Sequence, residues 1–181
     1  MLMDSGKSSL LVVDVQERLL PSISEGEAVL RNCIWLAGVA RRLAVPVVVS
    51  EQYPTGLGRT APALLEAAGG QLVEKVHFSC VADGCLTGTA VEARRQVVVV
   101  GTEAHVCVMQ TVLELRWQGK EVFVVADAVG SRKPADREAA LARMRAHGVE
   151  IVTREMVAFE WLKRSATDLF REVNRDFIRD N

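Results

Sequence analysis

The sequence predicts an α/β protein: a three-layer α/β/α sandwich built on a mostly parallel sheet of about six strands. Three observations carry this. Short β-branched runs alternate with amphipathic stretches along the whole chain. The runs are continuously apolar rather than alternating, which is the pattern of strands covered on both faces. Helix-length segments separate most successive runs, as right-handed parallel crossovers require.

The strand runs are Ser9–Val15, Val45–Ser50, the weaker Gln71–Val76, Gln96–Gly101, Glu121–Asp127 and Glu150–Thr153. Between Glu27 and Ala44, the residues Val29, Cys33, Leu36, Ala40 and Leu43 fall at spacings of 4, 3, 4 and 3, one apolar stripe of a helix. From His105 to Gln118 a second stripe is read at Met109, Val112, Leu113 and Trp117, with Gly119 as C-cap. The stretch Pro134 to His147 has Pro in its first turn, Asp136 and Glu138 near its start, and Arg143, Arg145 and His147 near its end. That charge order complements the helix dipole, and Gly148 follows as the stop. A last amphipathic stretch, about Thr167 to Ile178, carries Leu169, Phe170, Val173, Phe177 and Ile178. It suits docking on its own domain or on a neighbouring subunit.

No linker, internal repeat or low-complexity segment interrupts the pattern, so a single domain over residues 1–181 is expected. A chain of this length buries roughly 70% of the surface it exposes when unfolded, and needs no metal or disulfide staple. Apolar residues make up 49% and charged residues 25%, a globular balance. Lys plus Arg is 22 and Asp plus Glu is 23, giving a net charge of −1. No basic field exists to hold nucleic acid or an anionic membrane, and neither is expected as a partner. The amino terminus lacks the apolar core and cleavage site of a signal peptide. The run Val97-Val98-Val99-Val100 is strand-length, far short of the ~20 residues that cross a bilayer. The four cysteines, Cys33, Cys80, Cys85 and Cys107, show no paired framework, so a reducing cytoplasm is the expected location.

In Rossmann-like sheets ligands bind beyond the carboxyl ends of the strands, near the switch point of the strand order. Three strand ends carry chemistry. The first run stops at Asp14, the third at Lys75, and the fourth leads through GTEAHVC to Cys107 at the start of a helix. Each has a plain alternative: a turn residue for Asp14, a solvated surface lysine for Lys75, a small buried hydrophobe for Cys107. Their joint placement on one rim argues for a site. A helix N-terminus and a nearby ammonium favour a thiolate, and a carboxylate accepts its proton.

The segments Leu11–Gln16 (LVVDVQ), Glu51–Gly58 (EQYPTGLG), Lys75–Ser79 (KVHFS), Gly101–Val108 (GTEAHVCV) and Ala126–Arg132 (ADAVGSR) together resemble the isochorismatase-like cysteine hydrolase superfamily, most closely its isochorismatase domain-containing subgroup. The resemblance spans about residues 9 to 155 and implies an Asp–Lys–Cys triad at Asp14, Lys75 and Cys107. It also implies a non-proline cis peptide at Glu103–Ala104, presenting the Ala104 and Cys107 N–H groups to an oxyanion. It further implies a homo-oligomer. Metal-dependent nicotinamidases of the superfamily carry an Asp-x-His pair after the second strand. Here that place reads Ser50-Glu51-Gln52-Tyr53-Pro54, so neither metal nor other cofactor is expected. Glu51, Gln52 and Tyr53 would line the pocket instead, or simply order a loop.

Other residues are open to two readings. Gln16 would orient the Asp14 carboxylate or cap the first helix. Phe78 would be a pocket wall or a core residue. His105 would be a turn residue whose ring points at the pocket or solvent, or act as a base for Cys107. Cys80 and Cys85 lack the partners of a metal site, and Asp127 and Arg132 suit an ion pair or a cap. Gly6-Lys7-Ser8 precedes a strand, unlike a phosphate loop. The expected function is hydrolysis of a small amide or related C–N bond through a cysteine nucleophile. The alternatives are vinyl-ether hydrolysis with Asp14 as general acid, and a hydrolase-like interaction module without turnover.

Overall fold

The computed structural model describes residues 1–179. Six strands form one sheet: β1 (Ser8–Val13), β2 (Val47–Gln52), β3 (Gln71–Lys75), β4 (Gln96–Thr102), β5 (Glu121–Gly130) and β6 (Glu150–Val152). Their order is β3-β2-β1-β4-β5-β6, and every neighbouring pair is parallel. The expectation of a mostly parallel sheet thus becomes an all-parallel one. The order reverses between β1 and β4, so the switch point lies where these two strands end.

The helices are α1 (Gly26–Arg42), α2 (Pro54–Leu57), α3 (Pro62–Ala68), α4 (Cys80–Asp83), α5 (Ala90–Ala93), α6 (Met109–Trp117), α7 (Pro134–Ala146), α8 (Arg154–Leu162) and α9 (Asp168–Val173). Strand pleating divides the core in two. Leu10, Val12, Val98, Val100 and Phe123 point to one face, where α1, α3, α8 and α9 cover them. Leu11, Val13, Val97, Val99 and Val124 point to the other, under α4, α5, α6 and α7. The continuously apolar runs of β1 and β4 follow directly, because both faces of each central strand are dry. Among the described residues no helix is long and apolar enough to cross a membrane.

Several boundaries differ from expectation for local reasons. The strand β5 continues to Gly130 because its pairing with β4 shifts register: Val99 opposes Val124, but Gly101 opposes Val129. Residues 104–108 form a π-helical turn ahead of α6, so Cys107 lies inside that turn. Trp117 is 90% exposed and lies off the apolar stripe, whose buried members are Val112 and Leu115. The helices α3 and α8 were not expected. Their signals are short: Pro62 at the start and Gly69 at the left-handed stop of α3, and the Thr153 side chain accepting from the Met156 N–H at the start of α8. The carboxy-terminal stretch docks on its own chain, with Phe177 edge-on to Trp35 at 6.3 Å.

Candidate active site

Asp14 is the first residue past β1 and takes a left-handed backbone with φ of 49°. Three residues hold it there. Its N–H donates to the Ser50 carbonyl at 3.1 Å, and its carbonyl accepts from Thr102 Oγ1 at 2.7 Å. Its carboxylate accepts from Ser50 Oγ at 2.7 Å on one oxygen and from Lys75 Nζ at 2.8 Å on the other. Lys75 ends β3, two strands away, and the β3-β2-β1 order lets its long side chain lie across the end of β2 to reach Asp14. Both side chains are 0% exposed.

Cys107 comes from the π-helical turn after β4. Its thiol points to Gln52 Oε1 at 4.0 Å, the same oxygen that accepts from Lys75 Nζ, and it feels the charges of both Asp14 and Lys75. The close approach of β4 to β1 depends on Gly101, whose φ is 117° and whose position leaves no room for a Cβ against the Val13 carbonyl oxygen. Acid, amine and thiol thus meet at the switch point, as the sequence placed them.

The electrostatics differ from expectation at one group. Burial pushes the Asp14 carboxyl above the usual carboxylate range, against the opposing pull of Lys75 and Ser50. Burial also opposes the charge on Lys75, but Asp14 and Cys107 outweigh it and strengthen its hold on its proton. Cys107 was expected to be shifted toward thiolate. Instead burial, then the Asp14 charge, pushes its thiol well up, and Lys75 offsets only part of that. The hydrogen-bonded Lys75–Asp14 pair thus stands beside a thiol that holds its proton tightly.

The cis peptide is Thr102–Glu103, one residue earlier than Glu103–Ala104. Ala104 already belongs to the π-helical turn, which Glu103 caps; the Glu103 carbonyl accepts from the Val106 and Val108 N–H groups. Ala104 is buried beside Cys107 in the same core cluster.

The remaining predicted site residues separate into two groups. Gln52 lies in the site, but its amide is committed to the protein: Oε1 accepts from Lys75 Nζ at 2.5 Å and Nε2 donates to the Val76 carbonyl at 2.8 Å. It braces the lysine rather than offering free valences to a ligand. Gln16 neither touches the Asp14 carboxylate nor caps a helix. Its side chain is buried, donates to the Gln52 and Gly58 carbonyls, and accepts from the Gln52 N–H, so it staples the 53–60 loop to β2. Glu51 is likewise a loop anchor and not a pocket wall. Its carboxylate accepts from the Thr60 N–H at 2.6 Å and from Arg59 at 2.9 Å. Burial disfavours its charge, but the Thr60 N–H and Arg59 outweigh that and hold the carboxyl below its usual range.

Tyr53 and Phe78 stand on the surface beside the strand ends, 58% and 54% exposed, so Phe78 is not a core residue. His105 directs Nδ1 to Ser131 Oγ at 2.9 Å and Nε2 toward Asp136 at 3.8 Å. Nδ1 is thereby committed to Ser131, and Nε2 is directed toward Asp136. Asp127 and Arg132 do not pair with each other: Asp127 accepts from the Arg154 N–H at the start of α8, and Arg132 pairs with Glu103 at 2.9 Å. Cys85 hydrogen-bonds to Cys80, holding the Cys80 thiol below its ordinary value beside Ser50 and Lys75. Among the described residues no cluster of three His, Cys, Asp or Glu side chains is arranged to hold a metal ion. The place of a metal-binding pair is taken by Glu51, whose oxygens are already used. Sequence reasoning assigned no role to Ser50 or Thr102; both are short polar residues at the ends of apolar strands, which is the one signal they give.

Fold and site define a class: a three-layer parallel α/β protein with an acid–amine–thiol cluster at the switch point of its sheet. The family model described as the isochorismatase domain matches residues 8–156. Among curated proteins, isochorismatase domain-containing protein 1 of Danio rerio is 40% identical over 162 residues, covering 88% of this chain and 57% of that protein. Isochorismatase domain-containing protein 2A of Mus musculus is 34% identical over 171 residues, 93% of this chain and 81% of that protein. Among solved structures, one described as MAR1 ribonuclease from Caenorhabditis elegans is 34% identical, with a TM-score of 0.91 over 97% of this chain and 91% of that one. YcaC from Pseudomonas aeruginosa, described with hexane-2,5-diol and covalent acrylamide, is 25% identical, with a TM-score of 0.90 over 98% and 92%. The chain belongs to the isochorismatase domain family.

Proposed function

We propose that the protein is a cofactor-independent cysteine hydrolase of small amides or related C–N bonds. The observation that carries this reading is the buried cluster in which Lys75 bonds the Asp14 carboxylate at 2.8 Å and Gln52 Oε1 at 2.5 Å, with the Cys107 thiol 4.0 Å from that same amide oxygen. Asp14 takes the thiol proton as Sγ attacks the carbonyl carbon. Because the resting thiol holds its proton tightly, transfer and attack are coupled rather than preceded by a standing thiolate. The N–H groups of Ala104 and Cys107 hold the oxyanion. Asp14 then protonates the leaving nitrogen, the C–N bond breaks, and a thioester remains on Sγ. A water that gives its proton to Asp14 attacks the thioester, the C–S bond breaks, and that proton returns to the thiol. Lys75 stays charged throughout and stabilises Asp14 whenever it is ionised.

Acrylamide, found covalently bound in the Pseudomonas aeruginosa relative, is an electrophile that alkylates thiols, and it is itself a small amide. The ribonuclease description of the Caenorhabditis elegans relative finds no counterpart in charge: at −1 this chain has no basic field for a phosphate backbone. The exposed Tyr53, Val76 and Phe78 around the strand ends are an apolar surface suited to self-association, so a homo-oligomer is part of the proposal. The test is ammonia release from a panel of small aliphatic and aromatic amides. Wild type is expected to release ammonia from at least one amide and Cys107→Ala from none. Equal release by both proteins would overturn the cysteine mechanism.

A further inference from the structure

Ser50 is buried in the body of β2, opposite Val13 in the β1 register, and is 0% exposed. A buried serine usually returns its hydroxyl to nearby backbone. This one spends it on Asp14 Oδ1 at 2.7 Å. Its carbonyl also accepts the Asp14 N–H at 3.1 Å, so one residue grips both ends of the aspartate. The two carboxylate oxygens are thereby treated differently: a neutral hydroxyl on Oδ1 and the Lys75 ammonium on Oδ2. With both oxygens fixed, the carboxylate plane is held against rotation.

We propose that Ser50 is a positioning residue for proton transfer. Its hydroxyl sets the orientation of the Asp14 carboxylate and, by donating more strongly to the ionised form than to the protonated one, keeps that carboxylate available as a base in a dry site. This rests on the reading of Asp14 as the base for Cys107. Ser50→Ala removes the donor without adding volume, so Asp14 binds its proton more tightly, while Lys75 and the fold remain. Ser50→Thr keeps the hydroxyl on a residue that strands accept.

The experiment is the pH–rate profile of Cys107 alkylation by iodoacetamide, read by peptide mass mapping, for wild type, Ser50→Ala, Ser50→Thr and Asp14→Asn. A thermal unfolding curve for each verifies that it is folded. Losing a hydrogen bond to a charged group moves the acid limb upward by about one pH unit, roughly a tenfold slower reaction on the acid side, with a smaller change on the alkaline side. Ser50→Thr is expected to restore the limb toward wild type. An unchanged limb in folded Ser50→Ala, with Asp14→Asn slowed, would overturn the role of Ser50 alone. An unslowed Asp14→Asn would instead overturn the base role on which it rests.

Discussion

The two ends of the sheet handle charge in opposite ways. At the amino ends of the strands lies a cavity of about 760 Å³ lined in part by Leu2, Lys7, Gln96, Phe159 and Lys163. Its charges are paired at the surface: Lys163 with Asp4 at 2.8 Å and Arg95 with Glu121 at 2.7 Å, with Lys163 and Arg95 more than half exposed. At the carboxyl ends the hydrogen-bonded pair Lys75–Asp14 is withdrawn from water altogether, beside a buried thiol. Cavity size would choose the first end as the site. The second is the end where titratable groups are desolvated against one another, a condition that shifts proton affinities and that surface pairs cannot create.

The largest contrast between the ends is expected in turnover. Cys107→Ala should lower hydrolysis by roughly a thousandfold or more, whereas Lys163→Ala leaves it unchanged. Steady-state rates on the same amide measure both, and an equal loss in the two variants would erase the distinction. Stability should follow. Lys75→Met strands the Asp14 charge and is expected to cost about 3–5 kcal/mol in urea unfolding, against less than about 1 kcal/mol for Lys163→Met. Comparable losses would mean that burial of the Lys75 pair carries no special weight. Gly101→Ala, forced against the Val13 carbonyl at a φ of 117°, should destabilise by about 2–3 kcal/mol.

The sign of the pH effect sharpens the same comparison. Because burial raises the Asp14 carboxyl, the base form is lost at a higher pH than in a free aspartate. The acid limb of kcat/KM is therefore expected above about pH 4, and a limb at or below that ordinary value would contradict the desolvated site. The smallest effect is expected at Trp117→Ser, within about 0.5 kcal/mol in urea unfolding, since a side chain that is 90% exposed has little packing to lose.

Much of this was legible in the chain. The doubly buried strands announce themselves as unbroken runs such as 97–100, because both faces of β4 are dry. Asp14 and Lys75 stand out as polar residues where strands stop, and Cys107 as a thiol in the turn that follows one. What the sequence concealed depends on three-dimensional pairing. Gln16, Glu51 and Gln52 read as pocket residues because they flank the site, yet their side chains are consumed by the backbone and by Arg59 and Lys75. The cis bond lies one residue earlier than expected, at Thr102–Glu103, and no residue type marks that position. The elevated proton affinity of Cys107 was hidden for a related reason. Helix and lysine are visible as letters, whereas the depth of burial that outweighs them is not.

The central claim, that Asp14 activates Cys107 within a dry cluster, is tested most directly by treating folded wild type and Asp14→Asn with acrylamide at neutral pH and mapping the adduct by peptide mass spectrometry. The expected result is a single dominant adduct on Cys107 in wild type, strongly diminished in Asp14→Asn. Adduct confined to the half-buried Cys85, or formed on Cys107 at the same rate in both proteins, would contradict it.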